Sequence, residues 1–178
     1  MTLERAAPDP PIAPAVLATT LVIAGEIVFF AGLIFAFWVL RLGAPVWPPP
    51  LQPRLPIGVT GVNTLVLLAS SATMVAAVRA LRRGDRTALA RRLTASGVLG
   101  AAFLAVQGWE WARLVGFGLT VSSGTYGATF YTLIGAHAAH VLVALAWVGA
   151  MLWLVARERP GAGRTAPVAA CALYWHFV

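Results

Sequence analysis

Charge is scarce in this chain. Of its 178 residues, 11% are charged and 60% are hydrophobic, where a soluble domain carries about 25% charged residues. The mean hydropathy is +0.82. An ordinary soluble globule and a disordered chain are both excluded by that balance. Cysteine is nearly absent. Cys171 alone rules out an internal disulfide framework, CxxC redox chemistry and a Cys-rich zinc or iron–sulfur site. Lysine is missing altogether: all thirteen basic residues are arginines, and the net charge is +7. These arginines sit between apolar runs, a pattern of membrane topology and not of a nucleic-acid groove. No Walker loop, dinucleotide fingerprint or nucleophile with base and orienter is found.

What is present is proline-bounded hydrophobicity. The prolines cluster at Pro8, Pro10, Pro11 and Pro14, at Pro45, Pro48, Pro49, Pro50, Pro53 and Pro56, and at Pro160 and Pro167. Proline breaks helix interiors, so the runs between clusters are the helix candidates. They cover about 15–40, 57–81, 93–117, 126–155 and 167–178. Each of the first four exceeds the ~20 helical residues that a bilayer core of ~30 Å requires. The runs do not alternate polar with apolar residues, as β-barrel strands would. The fold expected is an all-α, polytopic transmembrane helix bundle of five spans, the last truncated at Val178. Pro167 suits the first turn of that last helix, where its missing N–H costs nothing. Residues 1–14 form an N-terminal tail, and 15–178 form one membrane domain. The tail has Glu4, Arg5 and Asp9 but no basic cluster, and the apolar run after it is too long for a signal core.

Arginine placement gives the orientation. Arg79, Arg82, Arg83, Arg86, Arg91 and Arg92 follow span two, while Arg157, Arg159 and Arg164 follow span four. With Arg5 they mark one side. Arg41, Arg54 and Arg113 mark the other. The N-terminus is therefore expected in the cytoplasm.

Polar residues inside the spans carry the chemical information. Glu26 lies near the middle of span one. An ionised carboxylate there is expensive, so it must face protein, be paired or be protonated. Either a proton- or lipid-linked acid or a hydrogen-bonded packing residue fits. Glu110 sits late in span three between Trp109 and Trp111, which resembles an interfacial belt; it is either a headgroup contact or the buried partner of a histidine. His137 and His140 are spaced i, i+3 and share a helix face. Two imidazoles at that spacing make half a metal site at best, and one face of one helix cannot ligate a haem from both sides. A hydrogen-bonded contact across helices, with Glu110 as the candidate partner, is the expectation for both. His176 is on another span. Asn63, Thr64, Ser70, Ser71 and Thr73 in span two, and Gly97, Gly100, Gly108, Gly135 and Gly149 later, read as close helix packing.

An ordered series of segments sharpens this reading. It runs Gly25-Glu26-Ile27-Val28-Phe29-Phe30-Ala31-Gly32, Trp47-Pro48-Pro49, Asn63-Thr64-Leu65-Val66-Leu67-Leu68-Ala69-Ser70 and Gly84-Asp85-Arg86. Gln107 with Glu110 follows, then Ser123-Gly124-Thr125-Tyr126-Gly127-Ala128-Thr129-Phe130. The series ends with Gly135-Ala136-His137-Ala138-Ala139-His140-Val141 and Tyr174-Trp175-His176-Phe177-Val178. In that order the chain resembles subunit III of the haem–copper oxidases, in its five-span bacterial form.

The resemblance implies a non-catalytic subunit of a complex that reduces oxygen to water in aerobic respiration. It implies no haem, copper or catalytic centre in this chain, those groups lying in partner subunits. It implies direct packing on subunit I, subunit II in the same complex, and bound phospholipid, with Arg157 a possible headgroup contact. It also implies support of proton uptake and of subunit I during turnover, and residence in the bacterial inner membrane. Glu26 matches the family's carbodiimide-reactive membrane carboxylate. Glu110, His137, His140 and His176 match recurrent polar positions of the bundle, expected here to form a structural cluster. The family pattern continues past Val178, and where many members have a glutamate this chain has Ala169. Two other readings stay open: an accessory protein of a nitric oxide reductase, and a self-standing proton channel.

Overall fold

Proline, glycine and one aspartate set the helix ends. The computed structural model describes residues 12–50, 52, 57–157 and 165–178; the expectations for most of the N-terminal tail and for Arg5, Arg54, Arg159 and Arg164 lie outside the described residues. Among these, the regular elements are five α-helices: α1 Pro14–Gly43, α2 Ile57–Arg82, α3 Arg86–Gly116, α4 Thr125–Arg157 and α5 Thr165–Phe177. The first four are long and apolar enough to cross a membrane. α5 has 13 residues, a rise of about 20 Å, which is less than the hydrocarbon core. Among the described residues four helices are therefore long enough to cross, and the short α5 lies where a fifth span, truncated at Val178, was expected.

The helix starts follow local chemistry. Pro14 occupies the first position of α1, where it gives up no hydrogen bond, and Pro167 lies in the first turn of α5. Between α2 and α3, Gly84 takes a positive φ of 71°. The Gly84 N–H donates to the Leu81 carbonyl and the Asp85 N–H to the Ala80 carbonyl, both at 3.0 Å, the Schellman pattern that closes a helix. Asp85 then opens α3, its carboxylate accepting the Ala88 N–H at 2.9 Å as an N-cap. α3 thus begins at Arg86 and not at 93. Hydropathy discounts Arg86, Arg91 and Arg92, but arginine is a good helix former and the cap fixes the start. The far end of α3 closes the same way at Gly118, with φ 86°. There the Leu119 N–H reaches the Leu114 carbonyl at 2.9 Å, and both leucines are buried in one cluster.

Two apolar cores result. The larger joins α2, α3, α4 and α5 through residues such as Met74, Leu93, Val148, Cys171 and Trp175. The smaller, at the end opposite the arginine-rich loops, holds Leu114, Leu119, Tyr126 and Phe130 with Trp47 packed on it. α1 stands apart: Thr19 is its one buried residue, it packs on α5 and α4, and it exposes Leu21, Val28 and Phe35. Such a face suits lipid.

Buried hydroxyls knit the larger core. Thr73 Oγ1 and Ser96 Oγ are 2.7 Å apart, Trp175 Nε1 donates to Ser70 Oγ at 3.2 Å, and Asn63 Nδ2 donates to the Phe103 carbonyl at 3.1 Å. The packing role expected of the glycines holds for Gly97 and Gly100. A Cβ on Gly100 would stand 2.6 Å from the Trp175 ring. It fails for Gly108, Gly135 and Gly149, beside which the space is open.

Candidate functional site

Three helices meet at Glu26. α5 supplies Tyr174, whose hydroxyl donates to Glu26 Oε1 at 3.1 Å. α4 supplies His140, whose Nε2 lies 3.6 Å from the same oxygen. The other carboxylate oxygen, Oε2, is buried without a hydrogen-bond partner among the described residues. The second ring nitrogen of His140, Nδ1, is 2.6 Å from the Ala136 carbonyl. A carbonyl only accepts, so Nδ1 carries a hydrogen and donates it. Phe30 stands edge-on to the imidazole at 5.1 Å between ring centroids, with Phe29 at 6.1 Å. The site is thus an acid, an imidazole and a phenol in an apolar setting about halfway along α1.

The other expected residues do not join it. Glu110 is buried, but its partner is Arg113 one turn away on α3, with Nη1 to Oε1 at 3.1 Å. The expected pairing of Glu110 with the His137/His140 face is therefore corrected. The reason is axial distance. The His137 ring sits against Phe103, and Glu110 is two turns further along α3, roughly 10 Å away at helical rise. His176 Nδ1 is 3.2 Å from Ser71 Oγ, on another face. Glu110, His137, His140 and His176 each have a different nearest polar or aromatic partner, though His137 and His176 line a common groove. Arg157, at the end of α4, places its guanidinium 4.5 Å above the Trp153 ring, and Arg41 does the same over Trp38 at 5.5 Å. Cations stacked on tryptophan at helix ends fit a headgroup region.

Beside these contacts runs a groove of about 380 Å³ between α2, α3, α4 and α5, with Thr64, Ser71, Gln107, His137 and His176 among its lining residues. Its walls are mostly apolar with a few polar tips, the usual make-up of a small-molecule cleft. Among the described residues, no three His, Cys, Asp or Glu side chains converge on a common point.

Sequence reasoning did not single out Tyr174 as the partner of Glu26 or Arg86 as a cap. Arg86 sends Nε to the Val155 carbonyl at 2.9 Å and Nη2 to the carbonyls of Val155 and Ala156. It thereby satisfies the end of α4 and complements its dipole. Tyr174 had a signal: a phenol in an apolar run needs a partner for its hydroxyl.

A family profile described as cytochrome c oxidase subunit III matches residues 15–178. Cytochrome c oxidase subunit 3 of Corynebacterium diphtheriae is 36% identical over 166 residues, spanning 91% of this chain and 80% of that protein. The Synechocystis protein of the same name is 34% identical over 160 residues, 89% of this chain and 67% of its own length. That of Bacillus subtilis is 31% identical over 159 residues, 89% and 76% respectively. The match runs from α1 through α5 and takes in Glu26, His140 and Tyr174 alike; on that footing this chain belongs to the cytochrome c oxidase subunit III family.

Proposed function

We propose that the chain is the accessory third subunit of a haem–copper terminal oxidase, packed directly on subunit I, with subunit II in the same complex. The observation that carries this is the family match over 15–178, which spans every helix. In this reading haem and copper belong to the partner subunits, and oxygen is reduced there. The complex resides in the bacterial inner membrane, with the arginine-rich loops and the N-terminus cytoplasmic. Arg79, Arg82, Arg83, Arg86, Arg91 and Arg92 against Arg113 at the opposite end support that orientation. α5 enters the bilayer from the cytoplasmic side.

Glu26 then supplies a polar, proton-exchanging point near the proton entry of subunit I. Its support is a carboxyl held between a phenol and an imidazole. The groove between α2 and α5 and the Arg157/Trp153 pair support bound phospholipid, acyl chain in the first and headgroup at the second. His137 against Phe103 and His176 at Ser71 join neighbouring helices, while Glu110 with Arg113 is a pair within α3.

The test is a mild-detergent pull-down of the tagged chain, read by mass spectrometry and by a reduced-minus-oxidised visible spectrum. Large membrane partners co-purifying with a haem signal of an oxidase are expected. A chain that emerges alone and colourless from a detergent that preserves such complexes overturns the proposal.

A further inference from the structure

α1 has no direct seat on the α2–α3 hairpin. Among the described residues its backbone approaches α4 and α5 and neither α2 nor α3. Five side chains mark the contact. Thr19 is buried, Ile23 packs on the larger core and Glu26 accepts from Tyr174 of α5. Phe30 stands against His140 of α4, and Phe37 stands against Trp47, which packs on Tyr126 of α4 at 5.2 Å between ring centroids. Their spacing keeps all five on one face of the helix. One stripe therefore meets two supports: Glu26 takes its hydrogen bond from α5, and the half beyond it leans on α4.

α5 is itself seated by one ring. Trp175 is buried and donates from Nε1 to Ser70 Oγ of α2 at 3.2 Å. The edge of its indole fills the space that Gly100 of α3 leaves: a Cβ there would stand 2.6 and 3.0 Å from two ring carbons. The indole is rigid and its surroundings are close-packed, so the ring cannot yield alone. Its neighbour Tyr174 holds α1. We infer that α5 is a wedge between α1 and the hairpin, and that the depth of Trp175 in the Gly100 slot sets the tilt of the first half of α1, with the Phe37–Trp47–Tyr126 contact as pivot. The device links α3 to a helix that it does not touch. It goes beyond the accessory role and does not depend on which complex the chain serves. A Cβ at Gly100 needs about 1 Å more room to reach ordinary contact. α5 shifts by that order, and the first half of α1 follows while its far end stays on α4.

The experiment measures distances between paramagnetic labels on cysteine pairs in the full chain, reconstituted in lipid. Cys171 is buried, and the parent chain serves as the unlabelled control. Leu21→Cys with Val75→Cys reports the first half of α1 against α2, and Phe35→Cys with Val62→Cys reports the far half; all four positions are exposed. Gly100→Ala should lengthen the first distance by ~1 Å and leave the second unchanged. Trp175→Phe, which withdraws bulk from the slot, should shorten the first distance. The double variant should return it towards the wild-type value, since the two changes act on one contact. A first distance that neither single variant moves overturns the inference. Equal shifts in both distances do so too, because they would report a loosened bundle and not a tilt. If Gly100→Ala does not fold, Trp175→Phe alone decides: an unchanged first distance refutes the wedge.

Discussion

At Glu26, structure and expected behaviour can be compared atom by atom. Replacing it with glutamine keeps the size and removes the ionisable oxygen. Glu26→Gln should abolish carbodiimide labelling of the chain and hasten inactivation of the oxidase during turnover. If labelling and inactivation are both unchanged, the role given to Glu26 is wrong. Glu110 and Arg113 make an asymmetric pair, the arginine side chain being 52% exposed and the glutamate 10%. Removing the arginine strands a buried acceptor, at a cost of about 1–3 kcal/mol. Removing the glutamate leaves a solvated arginine. Arg113→Ala should therefore lower the heat stability of the complex more than Glu110→Ala, which should still lower it measurably. The reverse order in a thermal melt would refute the pairing. At Gly100 a methyl group meets the Trp175 ring, which cannot retreat without losing its bond to Ser70. Gly100→Ala should cost about 1–3 kcal/mol, as overpacking does, and a melt equal to wild type would contradict that contact.

Among the elements, the hairpin of α2 and α3 is specified most locally. Gly84 closes one helix and Asp85 opens the next, so a single dipeptide sets both ends. Asp85→Ala should cost about 1 kcal/mol without displacing the helices, to be checked by thermal melting and by retained assembly. Helix ends of this kind are legible in sequence because their causes lie within a few residues. Pro14, Pro167 and Gly84-Asp85 all appear where the chain breaks. The start of α3 was misplaced only because arginines count against a span and not against a helix. Partners across helices are another matter. Helical periodicity shows that His137 and His140 share a face, but not which helix that face meets. Glu110 looked like their partner because it was the remaining acid in a later span. The actual partner of His140 is 114 positions earlier in the chain by number, and no local pattern encodes that. Arg86 shows the same limit: its role lies in the carbonyls of Val155 and Ala156, not in its own neighbourhood.

On the scale of the whole molecule, the polar contacts are threaded through an otherwise apolar bundle. The chain by itself, reconstituted in liposomes, should pass no protons above the empty-vesicle rate; sustained flux would restore the channel reading. The order of the helices along the chain has a further consequence. α1 is synthesised before the four others, yet the groups that receive its carboxyl belong to α4 and α5. Through most of translation Glu26 has no intended neighbour, and the insertion machinery must tolerate an acid in lipid or keep the first helix waiting at its flank. The bond from Tyr174 then forms only after α5 has been made and has come to rest against α1.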